Sequence, residues 1–289
     1  MSNPPGRLTR ARGGRSVRRM VTDPVHETLS GVTGDLVVTT WSGPDPRYVV
    51  VLAHGYGEHL GRYQHVAETL VGHGAVVTGP DHVGHGRSAG ERVLIASVDD
   101  VVADLHQVLE RAVDRHPGLP VILVGHSMGG LIGARYAQLH ADRLAGLVLS
   151  GPVLGSWRPV TDLLDLPEMP DDPLDVATLS RDPAVGEAYG ADELVWHGPF
   201  RRPTVQALAD ALDAVAAGPP LGDLPTLWVH GADDQLVPLA GTRPGIEALR
   251  ATRLEETVYP GARHEVLNET NRDEVLTRVT DFVDRVTGR

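Results

Sequence analysis

The stretch Val121-Ile-Leu-Val-Gly-His-Ser-Met-Gly-Gly130 decides how the chain is read. Its first four residues are apolar on both faces, as a strand in the middle of a parallel sheet must be when helices cover both sides. From Met128 to His140 the apolar residues recur with a helical period instead. Between the two stands Gly-x-Ser-x-Gly, with Ser127 at the apex of a strand-to-helix turn. Glycines at 125 and 129 suit such a turn, because side chains there would collide across it. The turn lifts the Ser127 hydroxyl clear of the sheet. Behind it a helix N-terminus offers free N–H groups and a positive dipole end to a developing oxyanion.

Outward from this point, short apolar runs alternate with helical stretches. Strands are predicted at Leu36–Trp41, Tyr48–Ala53, Ala75–Gly79, Leu144–Leu149, Thr226–Val229 and Leu254–Val258. Helices are predicted at Arg62–Gly72, Val98–Arg115, Ile246–Arg250 and Asp273–Val286. Strand–helix alternation of this kind implies an α/β fold with a mostly parallel central sheet flanked by helices. Residues 155–218 break the pattern. They contain no convincing strand, are rich in Pro and Asp, and carry an amphipathic stretch at Val205, Leu208, Ala209, Leu212 and Val215. Sixty-odd residues are too many for a structureless connection, so 155–218 is expected to be an inserted helical lid on a core of 28–154 and 219–289.

Composition removes whole classes of chemistry. The 289 residues include no Cys, which excludes disulfides, thiolate metal sites and cysteine nucleophiles. All 26 basic residues are Arg, which excludes Schiff-base lysines and the P-loop lysine. The net charge is −12, against a nucleic-acid surface on the folded body. Residues 1–20 hold six Arg and no acid, so the rest carries −18. The opening residues 1–27 are expected to form a disordered basic tail with no signal-peptide h-region, and Met20 is an alternative start. No run is long enough to span a membrane. The expected location is cytoplasmic.

A serine nucleophile needs a base, and the base an orienting carboxylate. Strand Thr226–Val229 runs into His230-Gly-Ala-Asp-Asp-Gln-Leu-Val-Pro238, where Asp233 and Asp234 compete for the acid role. Strand Leu254–Val258 runs into Tyr259-Pro-Gly-Ala-Arg-His264, which supplies a histidine. Both lie at carboxyl ends of strands, where an open α/β sheet carries its working loops. The order Ser, acid, His is that of α/β-hydrolase triads. An early strand ends in His54-Gly-Tyr-Gly-Glu-His59, whose Tyr56 amide can join that of Met128 as an oxyanion donor. With 14 His in the chain, a lone histidine means little. His126 points the wrong way to be the base. His82 and His85 in Asp81-His-Val-Gly-His-Gly-Arg-Ser88 are read as a structural turn, and no metal site is expected.

These motifs together resemble the α/β-hydrolase superfamily, and within it the monoacylglycerol lipase and lysophospholipase-type serine hydrolases, from about residue 28 to the C-terminus. The resemblance rests on His54–His59 with Gly61-Arg62-Tyr63, on Asp81–Ser88, on Gly125–Gly130, and on Leu179-Ser-Arg-Asp-Pro183 with Tyr189, Asp192, Leu194 and Val195. It ends with Gly231–Pro238 and Gly261-Ala-Arg-His264. It implies Ser127 as nucleophile, His264 as general base and then acid, and Asp234 rather than Asp233 as the acid. It further implies the backbone amides of Tyr56 and Met128 as oxyanion donors, with Glu58, Arg62 and Tyr189 near the substrate's glycerol; an Arg–Glu pair beside a loop is also a common structural salt bridge.

The sequence departs from animal members at Leu267, where they carry a second histidine. It departs again at Asp192-Glu193-Leu194, where Asp-Pro-Leu is usual, and at Tyr56, which replaces a small residue. The expected activity is cleavage of monoacylglycerols to fatty acid and glycerol without a cofactor. Lysophospholipase, broad carboxylesterase or thioesterase and acyltransferase are alternatives, and a catalytically silent lipid-binding module is the alternative from another class. Dehalogenase and epoxide hydrolase readings fail, because they need Asp where Ser127 stands. The apolar lid residues Trp157, Val160, Leu163 and Leu164 are expected to pack on the core, with transient docking on lipid as the other reading. Oligomeric state is not legible.

Overall fold

The computed structural model describes residues 23–172 and 174–289. Eight strands among them form one sheet: β1 (Val25–Ser30), β2 (Asp35–Trp41), β3 (Tyr48–Ala53), β4 (Ala75–Pro80), β5 (Val121–His126), β6 (Gly146–Ser150), β7 (Thr226–Gly231) and β8 (Leu254–Tyr259). Their order across the sheet is β1-β2-β4-β3-β5-β6-β7-β8. β1 and β2 run antiparallel to their neighbours, and every pairing from β4 to β8 is parallel. Eight helices connect them: α1 (Gln64–Gly72), α2 (Val98–Arg115), α3 (Met128–His140), α4 (Arg158–Thr161), α5 (Pro183–Ala191), α6 (Arg202–Ala217), α7 (Leu239–Ala248) and α8 (Arg272–Thr287).

The central strands are buried on both faces, as their unbroken apolar runs predict. Alternate residues of β3 serve opposite layers. Val49, Val51 and Ala53 meet a core shared with α2, α3 and α6, whereas Val50 and Leu52 meet one shared with α1 and α8. Helix α2 begins where Ser97 accepts a hydrogen bond from the Asp100 amide, with Asp99 and Asp100 in its positive first turn.

Two boundaries differ from the sequence reading. Strand β1 takes in residues 25–27, which that reading gave to the tail; residues 1–22 lie outside the described part. The strand was hidden because it is an edge strand with no buried residue, held by its antiparallel ladder with β2, with Glu27 also reaching Arg111 and Arg115 of α2. In the stretch 155–218, α6 joins α2 and α3 in the helical layer, with Val205, Leu208 and Val215 in its core. The residues outside the layers are therefore 155–201, which carry α4 and α5. Trp157 and Val160 are buried against the larger core and Leu163 and Leu164 pack against it. No helix among the described residues is long and apolar enough to cross a membrane.

Candidate active site

Ser127 follows β5 and precedes α3 with φ 55° and ψ −118°, a conformation that costs a non-glycine residue about 1–3 kcal/mol. Its surroundings over-determine it. The Ser127 amide donates to the Ser150 carbonyl at 3.0 Å, and the Ser127 carbonyl accepts from Gly130 at 2.9 Å and Val153 at 3.0 Å. A Cβ on Gly129 would run into the carbonyl oxygen of Ala53, and one on Gly125 into that of Gly129, so both positions require glycine. Serine is a favoured helix cap, yet the Ser127 side chain does not cap α3. Its Oγ lies 2.9 Å from His264 Nε2 instead. The Met128 amide, the first of α3, has no intrahelical carbonyl to bond to.

His264 Nδ1 in turn lies 2.8 Å from Asp234 Oδ2. Asp234 is placed by its own turn, where Oδ1 accepts from the amides of Leu236 at 3.0 Å and Val237 at 2.8 Å. Asp233 is exposed, and its amide donates to the Ala262 carbonyl. The geometry thus brings together Ser127, His264 and Asp234 and leaves Asp233 outside. Burial alone would push the His264 pKa down, but the Asp234 charge, its hydrogen bond, and the carboxylates of Glu265 and Glu58 hold it above its ordinary value. Burial would raise Asp234, yet His264, His230 and the Val237 amide keep it below the usual carboxylate value. Each partner stabilises the other's charged form, so an imidazolium at His264 costs less than it would without Asp234.

The loop after β3 approaches the serine closely: a Cβ on Gly55 would lie 3.3 Å from Ser127 Cβ. That loop is tied down by His54. The His82 amide donates to His54 Nε2 at 2.9 Å, so Nδ1 carries the proton and donates to the Gly55 carbonyl at 2.8 Å. In the 81–88 turn Asp81 accepts from the amides of Leu60 and Arg87, and the Ser88 hydroxyl donates to the Asp81 carbonyl, which makes the turn a brace for the loop. No group of three or more His, Asp or Glu able to hold a metal ion is found among the described residues. His126 directs Nδ1 at the Ser150 carbonyl, 3.0 Å away, and not at Ser127. Burial and the neighbouring His264 push its pKa down to about 4.

Glu58, Arg62 and Tyr189 do come together. Glu58 Oε1 accepts from the Gly55 amide and the Tyr63 hydroxyl, both at 2.6 Å, and Oε2 pairs with Arg62. Arg62 stacks over the Tyr189 ring at 4.9 Å. Sequence reasoning missed the fourth member, Glu265, which takes both Arg62 terminal nitrogens at 2.7 and 2.8 Å. Its only signal was that it follows His264. The ion pair joins the early loop to the histidine loop. The 155–201 stretch holds that loop as well, through the Leu179 carbonyl accepting from the Glu265 amide at 2.8 Å.

Above Ser127 and His264 opens a cavity of about 490 Å³. Its lining combines the polar group Glu58, Arg62, Tyr189 and Glu265 with an apolar wall of Trp157, Val160, Val176, Leu179, Phe200 and Leu236; Leu179, Val176 and Leu236 of that wall pack with Tyr189. The Tyr56 and Phe200 rings stack in its wall, 4.5 Å apart.

Residues 44–271 match the family model described as "Serine aminopeptidase, S33". The chain is 38% identical to a monoacylglycerol lipase of Mycolicibacterium smegmatis over 267 residues, covering 89% of this chain and 95% of that one. It is 32% identical to human monoglyceride lipase over 229 residues, 76% of each chain. Among solved structures, a monoacylglycerol lipase of Paleococcus ferrophilus superposes with a TM-score of 0.75 at 28% identity, over 87% of this chain and 99% of that one.

Proposed function

We propose that the chain, which belongs to the serine aminopeptidase S33 family of α/β-hydrolases on its monoacylglycerol lipase-like branch, cleaves the ester of a monoacylglycerol to fatty acid and glycerol. One observation carries the reading. The hydrogen-bonded series Ser127–His264–Asp234 lies in a cavity lined by a polar group and an apolar wall. An ester with a short polar alcohol and a long acyl chain suits both kinds of lining.

Ser127 Oγ attacks the ester carbonyl carbon while its proton passes to His264 Nε2. The amides of Tyr56 and Met128 hold the oxyanion. Collapse of the tetrahedral species breaks the ester C–O bond, and His264 returns its proton to the departing glycerol oxygen. Water then gives a proton to His264 and adds to the acyl carbon, releasing fatty acid and restoring Ser127. Asp234 fixes the imidazole tautomer and stabilises its charged form. Arg62 and Tyr189 meet the glycerol hydroxyls, with Glu58 and Glu265 holding the Arg62 guanidinium in place. The 155–201 stretch acts as the lid over the acyl chain. The substrate partner is a lipid ester, the setting cytoplasmic.

The test is release of glycerol and fatty acid from monoacylglycerols of graded chain length. Matched lysophospholipids, short-chain esters and an aminoacyl p-nitroanilide serve as comparisons, with Ser127→Ala as control. Monoacylglycerol is expected to be turned over best, and the variant to lose 10³-fold or more, as triad members typically do (order of magnitude). Equal turnover of all esters would sink the glycerol assignment. Preference for the anilide would favour a peptidase.

A further inference from the structure

A second histidine stands behind the triad. His230 of β7 is wholly buried, as is the Asp234 side chain. Trp228 lies two residues earlier on the same face of the strand, and its indole Nε1 is 3.2 Å from His230 Nδ1. An indole N–H donates and cannot accept, so His230 Nδ1 carries the lone pair and Nε2 the proton. That proton points at the Val237 carbonyl, 2.9 Å away, and Asp234 Oδ2 lies beside the same nitrogen at 3.4 Å. A second proton on Nδ1 would face the indole N–H, so the ring is held neutral in a single tautomer.

Three donors hold the Asp234 carboxylate: Oδ1 takes the amides of Leu236 and Val237, and Oδ2 takes His264 Nδ1. His230 anchors the carbonyl of the same Val237 and sets its N–H dipole 3.4 Å from Oδ2. The charged groups facing His230 come from two loops, a helix and a strand. Asp234 and His264 lie on the site loops. Arg243 of α7 stacks over the Trp228 ring at 4.9 Å, and Glu256 of β8 pairs with Arg243. Burial, with His264 and Arg243, keeps the His230 pKa below its ordinary value despite Asp234 and the Val237 carbonyl.

We propose that His230, fixed as the Nε2–H tautomer by Trp228, is a positioning residue that aims the Asp234 carboxylate at His264. The proposal rests on the triad reading above. Without His230 the Val237 carbonyl loses its anchor, the turn whose amides hold Oδ1 loosens, and the carboxylate leans more of its charge on His264, which favours the imidazolium and disfavours the free base.

Three variants test it: His230→Leu, which removes the donor at similar volume; His230→Gln, which keeps an N–H; and Trp228→Phe, which frees Nδ1. The readouts are kcat and KM on a short p-nitrophenyl ester across pH, and the low-field proton resonance of His264 Nδ1–H. His230→Leu is expected to lower kcat about tenfold with KM within about twofold. It should also raise the acid limb of kcat/KM by roughly half a pH unit and shift the resonance. His230→Gln should restore most of kcat. Trp228→Phe should add a second proton to the acid limb. The proposal is overturned if His230→Leu keeps the wild-type limb and resonance. It is also overturned if the Leu and Gln variants lose kcat alike with the resonance unmoved. Should the Leu variant fail to fold, the Gln and Phe variants decide. If the wild type cleaves no ester, the triad reading fails, and the resonance still tells whether His230 positions Asp234.

Discussion

His264 works among three carboxylates. Burial opposes its protonation, but Asp234, Glu265 and Glu58 together outweigh burial. The base form is the one that takes the Ser127 proton, so activity is present above the raised pKa and is lost as pH falls through it. The acid limb of kcat/KM is therefore expected above the ordinary histidine value of about 6.5. Glu265→Gln, which removes one negative charge, should move the limb down. A limb at or below the ordinary value, or one indifferent to Glu265, would contradict this account. Arg62 is the counter-charge for two carboxylates that are almost wholly buried. Arg62→Met strands both, and breaking such a buried pair costs about 3–5 kcal/mol. Urea unfolding should show that loss, and Arg62→Met combined with Glu265→Leu should recover part of it. If Arg62→Met unfolds at the wild-type urea concentration, the pair holds nothing together.

At the scale of elements, the strained turn at Ser127 depends on two glycines for different clashes. Gly129→Ala would drive a methyl into the Ala53 carbonyl and push α3 off β3. Gly125→Ala would drive one into the Gly129 backbone. Each is expected to cost 3 kcal/mol or more, roughly the cost of overpacking a tight site, and to abolish activity. Gly133, one turn further into α3, meets only Leu147 and Leu123 side-chain carbons at 3.6 and 3.7 Å. Gly133→Ala should therefore leave activity intact and stabilise by up to about 1 kcal/mol. Thermal melts of the three variants separate turn chemistry from helix propensity. Destabilisation by Gly133→Ala comparable to Gly129→Ala would refute the distinction.

The same elements show what the sequence could and could not tell. Helices α2 and α3 fall where their periodicity put them, and β3 matches residue for residue, because burial on one stripe or both faces leaves a pattern. Helix α7 starts seven residues before the predicted Ile246, because Pro244 inside it reads as a break. Strand β1 left no pattern because it buries nothing. The juxtaposition of Ser127, His264 and Asp234 was legible from their order along the chain and from the loops that carry them. The roles of Glu265 and His230 were not, since both depend on partners brought near only by folding: Arg62, some 200 residues away in sequence, and the Asp234 carboxylate.

On the scale of the whole molecule, the groups proposed to react and much of the apolar wall come from different parts of the chain. The loops at the carboxyl ends of β3, β5, β7 and β8 carry Tyr56, Ser127, Asp234 and His264. Much of the apolar wall comes from the stretch between β6 and α6, with Trp157, Val160, Val176 and Leu179. If the acyl chain lies against that wall, chain-length preference and bond cleavage are separable by mutation. Val160 is the sharpest probe, because it lines the cavity, is buried against the core and touches none of the triad hydrogen bonds. Val160→Phe fills space where distal methylenes would lie. Each excluded methylene forfeits about 0.8 kcal/mol of burial, so the loss of two should lower kcat/KM roughly tenfold for a palmitoyl ester. An acetyl or butyryl ester, too short to reach the wall, should be cleaved at the wild-type rate. Equal loss on short and long esters would mean that the substitution disturbs the triad, and that the wall does not measure the chain.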